Sequence, residues 1–442
     1  MASCRLALGV AFMLVACSSN DGPPPPPFDG PISASPAELW ASNTLTLRAA
    51  DFAVGGDDIA VTIGGLAAPA TRADDTTFSA TVPSELGGRA TLVVRWRDVE
   101  RTLAPLVVYG FDRVLTGSVL LPWDLRVLPG TEPVVMAGDL SNNLVLWNLV
   151  TGVEQLVPGV HGLDRSRGPG PTPDPNIYLL SPPNAPFVER WRLFPTAERL
   201  DTLPVIPGRQ VMQLSENVVF RSTSHQFAIL TRPDPSSPFT VALFEGGEET
   251  ESVFLSPRGD RAAIAIDGPV PLDVPVFDAA TGSVAWRASS FSGVTGAEFS
   301  ADGATLLFVG PDSAHGLADT RFPVEGFRVE LRDATTGEVR AARAIDRNLA
   351  GATFDPIADL VYVITTRPRV IGTRDIGPGV LVLRRSTLET VAELEVPANA
   401  TACLNFCYKA VAAVSTEPAL YVVTEVEGSV TGRYRFTLPA VR

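Results

Sequence analysis

Lysine is nearly absent from this chain: Lys409 is the only one among 442 residues. Schiff-base chemistry therefore has one candidate amine. Histidine is almost as scarce, at His161, His225 and His315, and none stands in a zinc-protease pattern with a glutamate. No Walker loop, Rossmann fingerprint, G-x-S-x-G elbow or EF-hand loop occurs. Positive charge is short as well, since 35 basic residues against 49 acidic ones leave −14. An acidic chain repels phosphate backbones, which argues against a nucleic-acid partner. Long apolar runs are missing too. The run Leu6 to Ala16 has 11 residues, against the ~20 that a spanning helix needs. No stretch keeps the 3.6-residue period of an amphipathic helix. No catalytic or metal-ligating constellation stands out, no cofactor is implied, and enzyme activity has no positive support.

What the chain does have is turns. It holds 39 prolines and 37 glycines, with 45% hydrophobic and 19% charged residues. That describes a globular protein of many short strands. Its organising unit runs from Phe254 to Trp286, FLSPRGDRAAIAIDGPVPLDVPVFDAATGSVAW. The unit reads as four strands. It recurs as FSADGATLLFVG from Phe299 with FRVELRDATTGEV, and as FDPIADLVYVIT from Phe354 with VLVLRRSTLETV. Each copy has a polar turn after its phenylalanine and then an apolar run. Two copies carry an Asp-x-x-Thr-Gly turn, at Asp278–Gly282 and Asp333–Gly337, whose glycine suits a positive φ. The tripeptide Arg258-Gly259-Asp260 occupies the same slot as Ala301-Asp302-Gly303, so it reads as a repeat turn and not an adhesion motif. One such unit cannot bury its own faces, so several must close a ring.

These residues resemble the WD40-like and quinoprotein-like β-propellers over roughly 248–397, including the tryptophan after the turn at Trp286. In those folds the turn and tryptophan dock one blade on the next, so they imply architecture and no cofactor. The resemblance implies a ring over 111–442 of about seven blades, with six or eight also open. A clear fourth copy falls at Val134–Met136 with Leu144–Trp147 and Asn148–Gly152, and fainter ones at Asn176–Leu180 with Val188–Leu193, at Val218–Phe220 with Phe227–Leu230 and Val241–Phe244, and from Tyr408 to Leu438. Phe111 to Leu121 is expected to lend a strand that closes the last blade.

Residues 31–110 alternate as half-buried strands do, at Leu45–Leu47, Ile59–Ile63, Thr77–Val82, Ala90–Trp96 and Leu103–Tyr109. The rhythm suggests an Ig-like β-sandwich. Leu45 to Pro83, with its Ile-Gly-Gly turn and Thr-Val-Pro strand end, resembles an IPT/TIG domain, which in surface proteins is a spacer or binding module. The expected fold is therefore all-β: an N-terminal Ig-like sandwich, then a propeller.

Residues 1–16 read as an export signal with Arg5 ahead of the apolar run. Its end, Leu14-Val15-Ala16-Cys17, resembles the bacterial lipobox, which implies cleavage before Cys17 and acylation of that residue. Ser18 after the cysteine implies sorting to the outer membrane. Residues 17–30 then form a tether, stiffened by Pro23 to Pro27 as polyproline II.

By resemblance, the loop between second and third strands shares a face with the loops between blades. Here those loops, Asp267–Pro275, Gly310–Gly326 and Thr365–Gly379, are long. They carry Asp312, His315, Asp319, Arg321, Arg367, Arg369, Arg374 and Asp375 as a candidate binding face. The competing explanation is that surface loops lengthen at small entropic cost. Cys403 and Cys407 fit a disulfide if their loop makes a helical turn, with a redox pair or metal ligands as alternatives. The function expected is a lipid-anchored envelope scaffold binding a protein or glycan. A quinoprotein-like or lactonase-like enzyme and an envelope-assembly scaffold are its rivals.

Overall fold

The computed structural model describes residues 30–440 except 51, 56–58, 97–98, 116–120, 128–132, 139–142, 161–169, 175, 181–186, 194–195, 204–209, 223–225, 247–248, 268–273, 292–293, 313–325, 348, 366–378, 396–408, 415–417 and 427–429. The described residues are almost entirely β, with one short helix, Phe52–Gly55. No helix among them is long and apolar enough to cross a membrane.

The N-terminal unit is two four-stranded antiparallel sheets. One orders its strands Ser33–Ser35, Thr44–Arg48, Thr77–Thr81 and Ala70–Asp74; the other orders Val99–Thr102, Leu92–Trp96, Ile59–Ile63 and Leu66–Ala68. Side chains alternate across each strand, so Leu45 and Leu47 turn inward while Thr44 and Arg48 face out. Ile59, Val61 and Ile63 answer from the second sheet, and all belong to one buried cluster with Phe52 and Phe78. The last two rings meet edge to face, centroids 5.1 Å apart. Each such side chain contributes about 1.5–3 kcal/mol on burial. The short strands at 33–35, 66–68, 70–74 and 99–102 carry few buried side chains, and alternation alone does not reveal them.

The remainder is a β-propeller. Residues 121–156, 170–203, 210–246, 249–288, 296–345 and 349–395 each form one four-stranded antiparallel sheet, strands in chain order. First strands lie side by side at Gly170–Pro171 with Gln210–Ser215, at Glu249–Leu255 with Gly296–Phe299, at Gly296–Phe299 with Leu349–Phe354, and at Leu349–Phe354 with Lys409–Val414; Lys409–Val414 also lies against Leu121–Val127, which joins the end of the ring to its start. A single hydrogen bond repeats around this ring. It runs from the turn after the third strand to the turn after the first: Leu193 N to Asn176 O, Arg232 N to Asn217 O, Ala279 N to Asp260 O, Ala334 N to Ala304 O, Arg385 N to Asp359 O and Leu438 N to Pro418 O, all at 2.8–3.1 Å. The repeat is thus geometric even where its residues differ.

The turn after the third strand has its own chemistry. Asn148, Asp278 and Asp333 each accept two turn amides on one side-chain oxygen. The glycine N–H groups of Gly152, Gly282 and Gly337 return to the carbonyls of those same residues. All three glycines have φ between 70° and 76°, where a Cβ is penalised. In the 349–395 sheet Leu388 takes that position at φ 58°. Its N–H still returns to Arg384 O at 2.7 Å, and its side chain is fully buried between sheets.

Ring closure differs from expectation in one respect. The closing strand is Leu106–Val114, not one beginning at Phe111. Its first half pairs with Glu38–Trp40 and Gly88–Ala90 of the N-terminal unit. Its second half, Gly110 to Val114, pairs with Val430–Thr437, outside Ala419–Val426 and Lys409–Val414. The expected division between 110 and 111 falls inside this junction strand. Phe111 meets Phe436 edge to face at 5.9 Å, and Asp112 pairs with Arg435. Gly110 allows the crossing, since a Cβ there would sit 2.2 Å from Leu86 O. The N-terminal unit also reaches the neighbouring sheet: Ser84 Oγ donates to Glu395 at 2.9 Å and Ser42 Oγ to Glu393 O at 3.1 Å.

Candidate functional site

Each sheet has its two short turns at one end, tied by the repeated bond, so its second-to-third connection leaves from the other end. The strand pairs Pro311/Phe327 and Thr365/Gly379 mark where two long connections depart, both on that face. Of the expected binding residues only Asp312 is described. His315, Asp319, Arg321, Arg367, Arg369, Arg374 and Asp375 lie outside the described residues, as do Cys17, Cys403 and Cys407. Among the described residues no grouping of His, Cys, Asp or Glu could hold a metal.

Asp312 stands at the base of its connection, not out along it. It is 7% exposed, its N–H donates to Gly326 O at 2.7 Å, and it bridges Phe291 of the preceding segment. Arg328 Nη1 approaches its carboxylate at 3.5 Å. Arg328 opens a line of charges along the strand Phe327–Asp333. Its Nε donates to Glu330 Oε1 at 2.5 Å, and Arg332 Nε donates to Glu330 Oε2 at 2.8 Å. Arg332 also donates to Gly337 O and Ser290 Oγ, both at 2.8 Å, beside the ring of Trp286. Residues two apart on a strand share a face, so the three charged side chains line one seam between sheets.

Glu330 is fully buried, and it, Arg332 and Asp312 are the buried charged residues among those described. All three belong to this one cluster. Counting back from the turn, the Arg332 position is Phe277, Leu383 and Trp147 in other sheets, and the Glu330 position is Pro275, Leu381 and Val145. A salt-bridged cluster therefore replaces core. Such pairs rarely add stability over an apolar filling; this one lies where the strand Phe327–Asp333 begins, next to Asp312. Sequence reading missed it. The signal was FRVELRD, charged at alternate positions in a slot that is apolar in the 121–156, 249–288 and 349–395 sheets.

A second glutamate, Glu298, lies on the other side of the same sheet, on the innermost strand Gly296–Phe299. Enclosure by protein pushes its carboxyl up to about 8, against the opposing influence of the nearby Thr353 and the Phe354 amide. It keeps partial solvent access.

No protein-family profile and no curated protein matches the chain. Among solved structures it is similar to the β-propeller domain of Cps50 (Swd1) from Myceliophteria thermophila, at 12% identity over 75% of this chain and 99% of that one, TM-score 0.49. It is also similar to a chain of the mitotic checkpoint complex, at 14% identity over 74% and 94%, TM-score 0.46. The sheet order and ring closure described above, and not these likenesses, define the architecture.

Proposed function

We propose that this protein is a lipid-anchored binding scaffold of the bacterial envelope. Cys17 carries the lipid, residues 17–30 form the stalk, an Ig-like unit of the IPT/TIG kind follows, and a seven-bladed propeller binds a protein or a glycan. The lipobox-like Leu14 to Cys17 supports the anchor. The departure of both long connections from one face of a closed ring carries the scaffold reading. Rigid rings present loops with little ordering cost on binding, and the salt-bridged cluster holds the base of one of them. The seven blades are the six chain-ordered sheets and the composite sheet that the junction strand completes.

Two measurements test this. Replacing Cys17→Ser should abolish labelling by a fatty-acid analogue and move the protein from the membrane to the soluble fraction; unchanged fractionation would refute the anchor. Limited trypsin treatment of intact and lysed cells then locates the long-connection face. Cleavage at 367–374 on intact cells directs the search to extracellular ligands, and protection until lysis directs it to periplasmic ones. Failure of the full chain to retain any envelope protein or cell-wall glycan under both conditions would count against a scaffold.

A further inference from the structure

Two units joined along one chain swing on each other by default, unless a large apolar interface prevents it. Here that interface is continuous. Leu47 and Phe78 of the sandwich, Val382 and Leu394 of the 349–395 sheet, and Leu420 and Phe436 of the closing sheet belong to one buried cluster. Other seams of the ring have clusters of their own. A contiguous buried cluster marks one core per domain, and this one runs through both units.

The backbones interlock as well. A strand has two edges, and the first half of Leu106–Val114 has both taken by the N-terminal unit. Val107 and Val108 pair with Glu38 and Leu39 on one edge and with Arg89 and Gly88 on the other. Where the strand then turns to Val430–Thr437, two glycines pass each other. A Cβ on Gly87 would lie 2.2 Å from Phe111 O, and one on Gly110 would lie 2.2 Å from Leu86 O. Neither chain leaves room for a side chain on the other. Two turns of the sandwich reach further, to the 349–395 sheet. Ser42 takes a left-handed backbone at φ 66° and donates its hydroxyl to Glu393 O at 3.1 Å. Arg347 holds the carboxylate of that same glutamate at 2.8 Å. Ser84 and Glu395 bond in both directions, hydroxyl to carboxylate at 2.9 Å and Glu395 N–H to Ser84 O at 3.4 Å.

We infer that the N-terminal unit is the clasp of the ring and not a spacer on which the propeller swings. It grips the closing strand by both edges and shares its core with the two sheets beside the closure. The sandwich, the closing sheet and the 349–395 sheet therefore open together or not at all. This assignment depends neither on the lipid anchor nor on any ligand. A partner bound to the ring is then held at a fixed angle to the N-terminal unit.

Native-state hydrogen exchange of the full chain tests the clasp. As denaturant is raised, the slowest amides of 44–48, 92–96, 380–383 and 419–422 should converge on one opening free energy with one slope. Ile63→Val removes a single methylene from a fully buried side chain of the sandwich. It should speed exchange at 380–383 and 419–422 by the same factor as at 44–48, about two- to tenfold. Loss of protection confined to the sandwich, or separate slopes for sandwich and ring, would overturn the inference.

Discussion

The indole of Trp286 occupies the space that a side chain on Gly337 would need. A Cβ at Gly337 would lie 2.6 Å from Cδ2 of that ring, and the indole Nε1 donates to the nearby Ala334 carbonyl at 3.1 Å. One sheet's last strand thus reads the bareness of the next sheet's turn. Docking of sheet on sheet and the identity of the turn residue are the same constraint.

Gly337→Ala should therefore cost more than backbone strain. Strain at a positive φ costs about 1 kcal/mol, and forcing the indole aside adds about 1–3 kcal/mol. Gly152 provides the comparison, with φ 74° and nothing within 4 Å of where a Cβ would stand. Gly152→Ala should lose only the strain component. Chemical denaturation of the two variants should give clearly separated midpoints; equal losses would show that the indole yields freely.

Leu388 holds the equivalent turn position with a left-handed backbone and a fully buried side chain. Restoring the repeat with Leu388→Gly relieves about 1–2 kcal/mol of strain. It also removes a buried leucine, at about 2–5 kcal/mol. The variant should be less stable by about 1–3 kcal/mol, and a raised thermal midpoint would contradict the packing account.

The Glu330 cluster should respond asymmetrically. Glu330→Gln leaves two guanidinium groups facing a neutral partner in a buried seam, and stability should fall by about 3–5 kcal/mol. Replacing Arg328→Met, Glu330→Leu and Arg332→Met together should recover to within about 1 kcal/mol of the native protein. If the triple variant is as damaged as the single one, the charges contribute more than geometry.

Much of this follows from residues whose meaning is plain in the sequence, and the exceptions have a pattern. The Phe254 and Phe299 copies were legible because their turns need glycine and aspartate, residues whose backbone chemistry is specific. The copy at 349–395 looked worn because Leu388 supports the turn by packing rather than by conformation. The 170–203 and 210–246 sheets keep the backbone bonds at Asn176 and Asn217 with different side chains, so their motif is faint while their geometry is intact. The junction strand gives no sign of its double role, since LVVYGFDRV is one continuous run that serves two partners. Glu298 was invisible because one acidic residue in GAEF gives no sign of which strand it will face.

Asp333 predicts a limb in acid. Bonds from the Thr336 amide and then Arg340 hold its carboxyl down at about 2, against an ordinary 3.8. A lowered folded-state value stabilises the protein above the unfolded one, and that contribution is lost as pH falls from about 4 toward about 2. Asn148 shows that an asparagine makes the same turn bonds. Asp333→Asn should therefore fold, and its thermal midpoint should depend less on pH between 4 and 2 than that of the native protein. An unchanged pH dependence would remove Asp333 from the account.

The junction strand gives the molecule a mechanical character. Any pull arriving through the N-terminal unit enters the ring along the length of Leu106–Val114, the strand that holds the circle shut. Its hydrogen bonds to Val430–Thr437 are then sheared together, as a lap joint is, instead of peeled one after another. Because that joint helps close the ring, such a load is carried first by the element whose failure would undo the circle.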